Sequence, residues 1–154
     1  MSGKLRQEIK QKRPFRSVQE EVVLAMGRTA DQLSVPMSEV LREASLSTSQ
    51  YNILRILRGA GDEGLPCGEI SERMVRRDPD LTRLLDRLEA RGLVTRARGT
   101  QDRRVITATI TEEGLELLDS LDAPVEAALK KTLAHVPVAR LKLLLEILEE
   151  VHGE

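Results

Sequence analysis

The sequence predicts a mainly α-helical chain with one small β-hairpin, an α+β fold, and three stretches carry that expectation. Leu81, Leu84, Leu85 and Leu88 recur at helical spacing and turn Thr82, Arg83, Asp86, Arg87 and Arg91 outward. Directly after Gly92, Leu93–Arg98 alternates loosely, Gly99–Asp102 is turn-like and Val105–Ile110 is rich in β-branched residues, the pattern of a hairpin. Flanking this centre, leucine stripes follow Thr111 and Pro137 at helical spacing, and an apolar stripe runs from Val18 to Leu33.

Residues 1–16 hold six Lys/Arg and one Glu and read as a basic arm, poorly ordered until something holds it. Val18, Val22, Met26, Thr29 and Leu33 outline an amphipathic helix expected to end before Pro36, with a short helical piece from Ser38 to Ala44 behind it. Ser47 or Thr48 is placed to cap the next helix, whose Tyr51, Leu54 and Leu57 share one face before the Gly59–Gly64 loop. Cys67, Ile70 and Met74 stripe a short helix. Asp78-Pro79-Asp80 then offers an N-cap, a first-turn proline and a further acid for the helix dipole, and Gly92 is placed to stop the helix those residues begin. Capping accounts for both acids without a ligand, although an Asp reaching a groove could also accept from a cytosine amino group. Thr111 opens a long helix with Leu115, Leu118, Leu121, Val125 and Leu129, in which Pro124 would bend or break the ladder. Leu141, Leu144, Leu145 and Leu148 stripe the last helix, and Leu143 and Ile147 add a second apolar face, more than packing within one chain requires.

Composition narrows the function classes. The 154 residues suit one domain, 1–154, and the single cysteine allows no internal disulfide. Cys67 reads as a small buried hydrophobe rather than a redox centre, and His135 and His152 have no ligand set around them, so neither metal nor cofactor is expected. No apolar leader and no run of about 18 apolar residues is present, so a cytoplasmic protein without membrane contact is expected. No phosphate loop, nucleophile set or acid pair suggests an enzyme. Phe15 and Tyr51 are the only aromatics, too few for a stacking platform for single strands, and duplex is the favoured polyanion.

Net charge is −1, but its distribution is uneven. Residues 73–104 hold ten Arg and five acids, whereas 111–154 hold four basic and ten acidic side chains. A helix with an Arg-rich outer face followed by a basic hairpin reads as a helix for one DNA groove and a hairpin for a neighbouring one. Thr82, Arg83 and Arg87 are the candidates for the major groove and its flanking phosphates, with Arg76 and Arg77 on the backbone near the helix entry. Arg96, Arg98, Arg103 and Arg104 belong to the hairpin, where planar cations suit phosphates or a narrow minor groove. Asp102 is expected to orient one neighbouring guanidinium by a bidentate pair.

These residues carry a family resemblance. Gln50-Tyr51-Asn52-Ile53-Leu54, Gly68-Glu69-Ile70-Ser71-Glu72-Arg73-Met74, LTRLLDRLEARGLVTR (81–96), DRR (102–104) and ITEEG (110–114) together resemble the MarR family of bacterial winged-helix transcriptional regulators. The resemblance implies a winged helix-turn-helix lobe, about 46–110, and a dimerisation platform woven from helices at about 17–45 and 111–154. It implies an obligate homodimer, a repressor reading a pseudo-palindromic operator in double-stranded DNA, and a small, often phenolic or anionic effector. It also favours Arg104, two residues after Asp102, as the wing contact. Val18, Val22, Leu143 and Ile147 are the candidates for the dimer interface.

Overall fold

A computed structural model describes residues 3–153. The chain divides into two compact units, Met1–Val35 and Pro36–Glu154.

In the first unit a short helix α1 (Lys4–Glu8) precedes the start of α2 (Val18–Glu43). In this conformation the arm's own side chains bond its backbone. The Arg6 guanidinium donates to the carbonyls of Gln11 and Lys12, and Gln11 Nε2 donates to the Arg13 carbonyl at 3.1 Å. Glu8 pairs with Arg28 at 3.2 Å. Pro36 does not end α2, which runs unbroken to Glu43 and corrects the expected split before Ser38. Proline removes one backbone donor, but a helix whose far end is anchored by a fully buried Leu41 tolerates that loss.

The second unit adds α3 (Thr48–Ala60), β1 (Leu65–Pro66), α4 (Cys67–Arg73), α5 (Leu81–Ala90), β2 (Val94–Arg98), β3 (Ile106–Ile110), α6 (Glu112–Leu133) and α7 (Val138–His152). Ser47 caps α3 through a reciprocal box with Gln50, which satisfies two helix-end donors at once. The apolar face of α3 sends Ile53, Leu54 and Leu57 into the core, where they meet Ile70 of α4, Leu85 and Leu88 of α5 and Leu118 of α6, all essentially inaccessible to solvent. Each such side chain contributes about 1.5–3 kcal/mol of burial. Arg58 of α3 binds Asp122 with both terminal nitrogens, at 2.9 and 3.0 Å, and so ties α3 to α6. Pro124 leaves α6 continuous.

The sheet has the order β1-β3-β2, all antiparallel, with Val94 opposite Ile110 and Arg98 opposite Ile106. β1, two residues long, has no periodicity to reveal it in the sequence; its Leu65 pairs with Ala108. Two local devices fix the hairpin against the helices. At the end of α5, Gly92 adopts φ 71°, and the N–H groups of Gly92 and Leu93 return to the carbonyls of Glu89 and Leu88 at 2.9 and 3.0 Å. This paired closure of a helix end needs a left-handed residue, which glycine supplies without a Cβ penalty. At the start of α6, Thr111 caps the helix, its N–H bonds the Leu93 carbonyl at 3.0 Å and its hydroxyl donates to the Gly92 carbonyl at 2.6 Å. Gly114 sits so close to the root of β2 that a Cβ there would lie 2.4 Å from the Leu93 carbonyl oxygen.

Candidate nucleic-acid interface

The segment from α4 to the hairpin positions most of the predicted cations on exposed backbone. Met74 is buried, and the next residue turns outward: Val75 is 90% exposed while its N–H is held by Asn52 Oδ1 of α3 at 2.9 Å. Asn52 fixes the turn before Arg76 and Arg77, both exposed. Sequence reasoning does not single out Asn52 for this task. The available signal is an amide side chain in a helix interior, where Asn ordinarily competes with the backbone unless it bonds elsewhere.

The start of α5 departs from the expected capping. Asp80, not Asp78, holds the N-cap, Pro79 lies outside the helix, and the Asp78 carboxylate accepts from the Asp80 N–H at 2.9 Å. Asp80 makes no side-chain cap bond; its carboxylate instead lies 3.7 Å from Arg83 Nη1, one turn along. Thr82, Arg83 and Arg87 are exposed, and the spacing of Arg83 and Arg87 puts them on one face. Arg91, also exposed, donates to the carbonyls of Ser45 and Ala44 at 2.8 and 3.0 Å and so closes the end of α2.

Arg96 requires a correction. Its side chain is only 19% exposed, and its guanidinium binds Asp86 and Glu89 of α5; hydrogen bonds to Glu89 and Asp86 raise its pKa further and hold it charged. A guanidinium with two carboxylates in place is a fastener between β2 and α5 rather than a free hairpin cation. It has an electrical effect as well: both acids of α5 are paired, leaving Arg87, and Arg83 beside Asp80, as the cations of its outer face.

Asp102 also differs from expectation. Its Oδ1 accepts from the Arg104 backbone N–H at 2.9 Å rather than from a guanidinium. Val105 N–H bonds the Asp102 carbonyl at 3.2 Å and Gly99 N–H bonds the Val105 carbonyl at 2.8 Å. A turn of this kind puts Arg103 and Arg104 at its two central positions, where Asp at the first position is favoured because it can bond the backbone two residues on. Asp102 thus fixes the backbone of the turn that carries the two cations. Arg98, Arg103 and Arg104 are exposed.

The predicted interface residues are also solvent-facing in the single chain. In the first unit Val18 is 73% and Val22 42% exposed; in the second, Leu143 is 54% and Ile147 46% exposed. No residue of α7 is buried. Cys67 is half-buried, and burial pushes its thiol pKa up, against a weaker opposing effect of Arg96, which favours an inert packing role. Among the described residues no group of three or more His, Cys, Asp or Glu is placed to hold a metal, and no helix is long and apolar enough to cross a membrane.

Comparison with known proteins agrees with this geometry. The family model described as "MarR family" matches residues 46–106. A MarR transcription factor from Planctomyces limnophilus is 38% identical, with a TM-score of 0.69, over 88% of this chain and 98% of that one. The HTH-type transcriptional repressor MdtR of Bacillus subtilis (strain 168) is 31% identical over 94 residues, 61% of this chain; the match spans 59% of MdtR, less than two thirds of its length. BpsR of Bordetella bronchiseptica, whose structure describes regulation of its DNA binding by 6-hydroxynicotinic acid, shares the fold with a TM-score of 0.79 at 18% identity, over 92% of this chain and 99% of that one.

Proposed function

Because the chain belongs to the MarR family of transcriptional regulators, we propose that it is a homodimeric repressor that binds a pseudo-palindromic operator in double-stranded DNA and is released by a small aromatic or phenolic ligand. The observation that carries the reading is the arrangement of cations: Arg83 and Arg87 exposed on one face of α5, and Arg103 and Arg104 at the tip of a turn, with Arg96 cancelling the acids between them.

In this mechanism α5 enters the major groove. Thr82 and Arg83, in its first turn, reach base edges, where a bidentate guanidinium on guanine carries about 1–3 kcal/mol of discrimination. Arg87 and the loop cations Arg76 and Arg77 meet phosphates and fix the register without reading sequence. The hairpin is the wing: Arg103 and Arg104, with Arg98 behind them, approach the adjacent minor groove, whose negative potential favours guanidinium. Two copies present two such heads. Leu143 and Ile147 of α7, and separately Val18 and Val22 of the first unit, are assigned to contact with the other subunit, because apolar faces of this size are ordinarily covered. An effector that distinguishes the DNA-competent arrangement from another releases the operator by its differential affinity for the two. The support for this last element is BpsR, whose DNA binding 6-hydroxynicotinic acid regulates.

The test is duplex binding across a salt series, with a random duplex and with one selected from a randomised pool. Steep loss of random binding with salt, and tighter binding of the selected duplex at every salt concentration, is the expected result. Equal affinity for both duplexes, or binding indifferent to salt, would overturn it.

A further inference from the structure

The arm at residues 3–16 belongs to the first unit and holds six cations of its own, Lys4, Arg6, Lys10, Lys12, Arg13 and Arg16. Its own structure sorts them. Arg6 is engaged with the Gln11 and Lys12 carbonyls, and the one acid, Glu8, is held by Arg28. That leaves Lys4, Lys10, Lys12, Arg13 and Arg16 exposed and without an ion pair among the described residues. The arm's one acid is thus paired, and the carboxylate nearest its end, Glu20 of α2, accepts from the Arg16 N–H, so five exposed cations face one adjacent acid and the surface stays net positive.

Lys10 adds a second observation. It follows α1 in the left-handed region, φ 54°, with its N–H on the Gln7 carbonyl at 3.1 Å and that of Gln11 on the Arg6 carbonyl at 3.0 Å. Gly92 makes a closure of the same kind for α5, and glycine is the residue it favours. A lysine there accepts a backbone penalty that glycine would avoid, and the chain gains from it an exposed charge beside Lys12 and Arg13.

We propose that this arm is a second DNA contact, a phosphate clamp that grips duplex backbone and reads no sequence. Flexible ammonium and guanidinium groups in a row suit a polyphosphate strand. The arm's one aromatic, Phe15, is half-buried, so no set of exposed rings is present to stack bases, and its exposed side chains are overwhelmingly polar rather than the apolar face that enters a lipid surface. Duplex is chosen over other polyanions because it is the partner assigned to the other basic segment of the chain, residues 73–104; the inference rests on that reading. The arm's contribution is to affinity, and it leaves discrimination between sequences to α5.

The experiment compares the full-length protein with Lys10→Gly and with Lys12→Gln/Arg13→Gln. Lys10→Gly removes a charge while relieving the left-handed residue, so the arm's fold is kept or improved; circular dichroism and Tm verify this. Binding is measured on a random duplex of about three helical turns and on a selected one across a salt series. For each phosphate contact that a variant removes, the slope of log K against log salt should become shallower by about 0.9 per subunit. Both duplexes should weaken by the same factor. Unchanged slopes in both variants, or weakening confined to the selected duplex, overturn the clamp. If the parent protein itself fails to bind duplex in a salt-dependent way, the DNA reading falls and the clamp with it; if the parent binds normally and only the variants are silent, the clamp alone falls. A parent arm whose charge matters only for anionic vesicles in a parallel assay also overturns it.

Discussion

Arg83 stands 3.7 Å from Asp80 across one helical turn, both side chains more than half exposed. An exposed pair of this kind contributes only about 0–1 kcal/mol, so it can orient the guanidinium without trapping it. Arg83→Ala should therefore leave the fold untouched and cost about 1–3 kcal/mol of binding, with the loss concentrated at particular operator positions. Scanning base substitutions across the selected duplex distinguishes this from uniform weakening, which would reassign Arg83 to phosphate. Arg96 should behave oppositely. Its removal leaves the Asp86 and Glu89 charges uncompensated and unfastens β2 from α5. Arg96→Ala should weaken binding to every duplex alike and lower Tm, whereas Arg96→Lys should recover the charge but not the two-carboxylate geometry. An Arg96→Ala protein with parental Tm would show that the fastening is inconsequential.

At the level of elements, Arg58 and Asp122 join α3 to α6, and the Arg58 hydrogen bonds hold the Asp122 carboxyl below its ordinary pKa. A carboxylate whose folded pKa is depressed contributes stability that is present above its unfolded value, near about 4, and is lost as pH falls through the folded one. Asp122→Asn should thus lower the denaturation midpoint at neutral pH and flatten the decline of stability on acidification below about pH 4. Urea melts at neutral pH and at two acid values either side of that point check the sign; an undiminished acid decline in the variant would assign the effect to other carboxylates. Elements such as this are unequally legible in the sequence. The α5 stripe, its Gly92 stop, the Thr111 cap and the hairpin can be read because each is written in a few neighbouring residues. The Arg58–Asp122 tie, the Asn52 hold on Val75 and the fastening of Arg96 to Asp86 join residues 64, 23 and 10 positions apart, and no local pattern announces such partners. Pro36 misleads for a related reason: a local stop signal is overridden by the packing of Leu41 at the far end of the same helix. Asp102 does bond its neighbour, but through a backbone N–H rather than a guanidinium, and sequence adjacency cannot tell one donor from the other.

For the whole molecule the decisive feature is α7. Its Val138, Leu143, Leu144, Leu145, Ile147 and Val151 are 46–69% exposed, and none of its residues is buried. Leu143→Asp/Ile147→Asp should remove little from the single chain but introduce charge into the proposed subunit contact, and analytical ultracentrifugation should find a monomer. In the proposed dimer, losing one of two reading heads also loses their joint effective concentration, so selected-duplex binding should fall toward the random-duplex level while the cations of 73–104 remain in place. A variant that stays dimeric, or a folded monomer that still holds the selected duplex tightly, would sink the assignment of α7 to the interface.

The seam where Thr111 and Gly114 meet Gly92 and Leu93 gives the second unit a lever. With the first turn of α6 held to the root of β2 by two hydrogen bonds and by a gap too narrow for a methyl group, the helix and the hairpin cannot swivel independently at that point. The five residues of β2 extend about 17 Å from the seam at roughly 3.3 Å each. A tilt of α6 by about 10° then sweeps the turn that bears Arg103 and Arg104 through about 3 Å, which is the length of a hydrogen bond. A small rotation of the long helix would in this way be carried along β2 and displace Arg103 and Arg104 at the far tip by a distance comparable with a hydrogen bond.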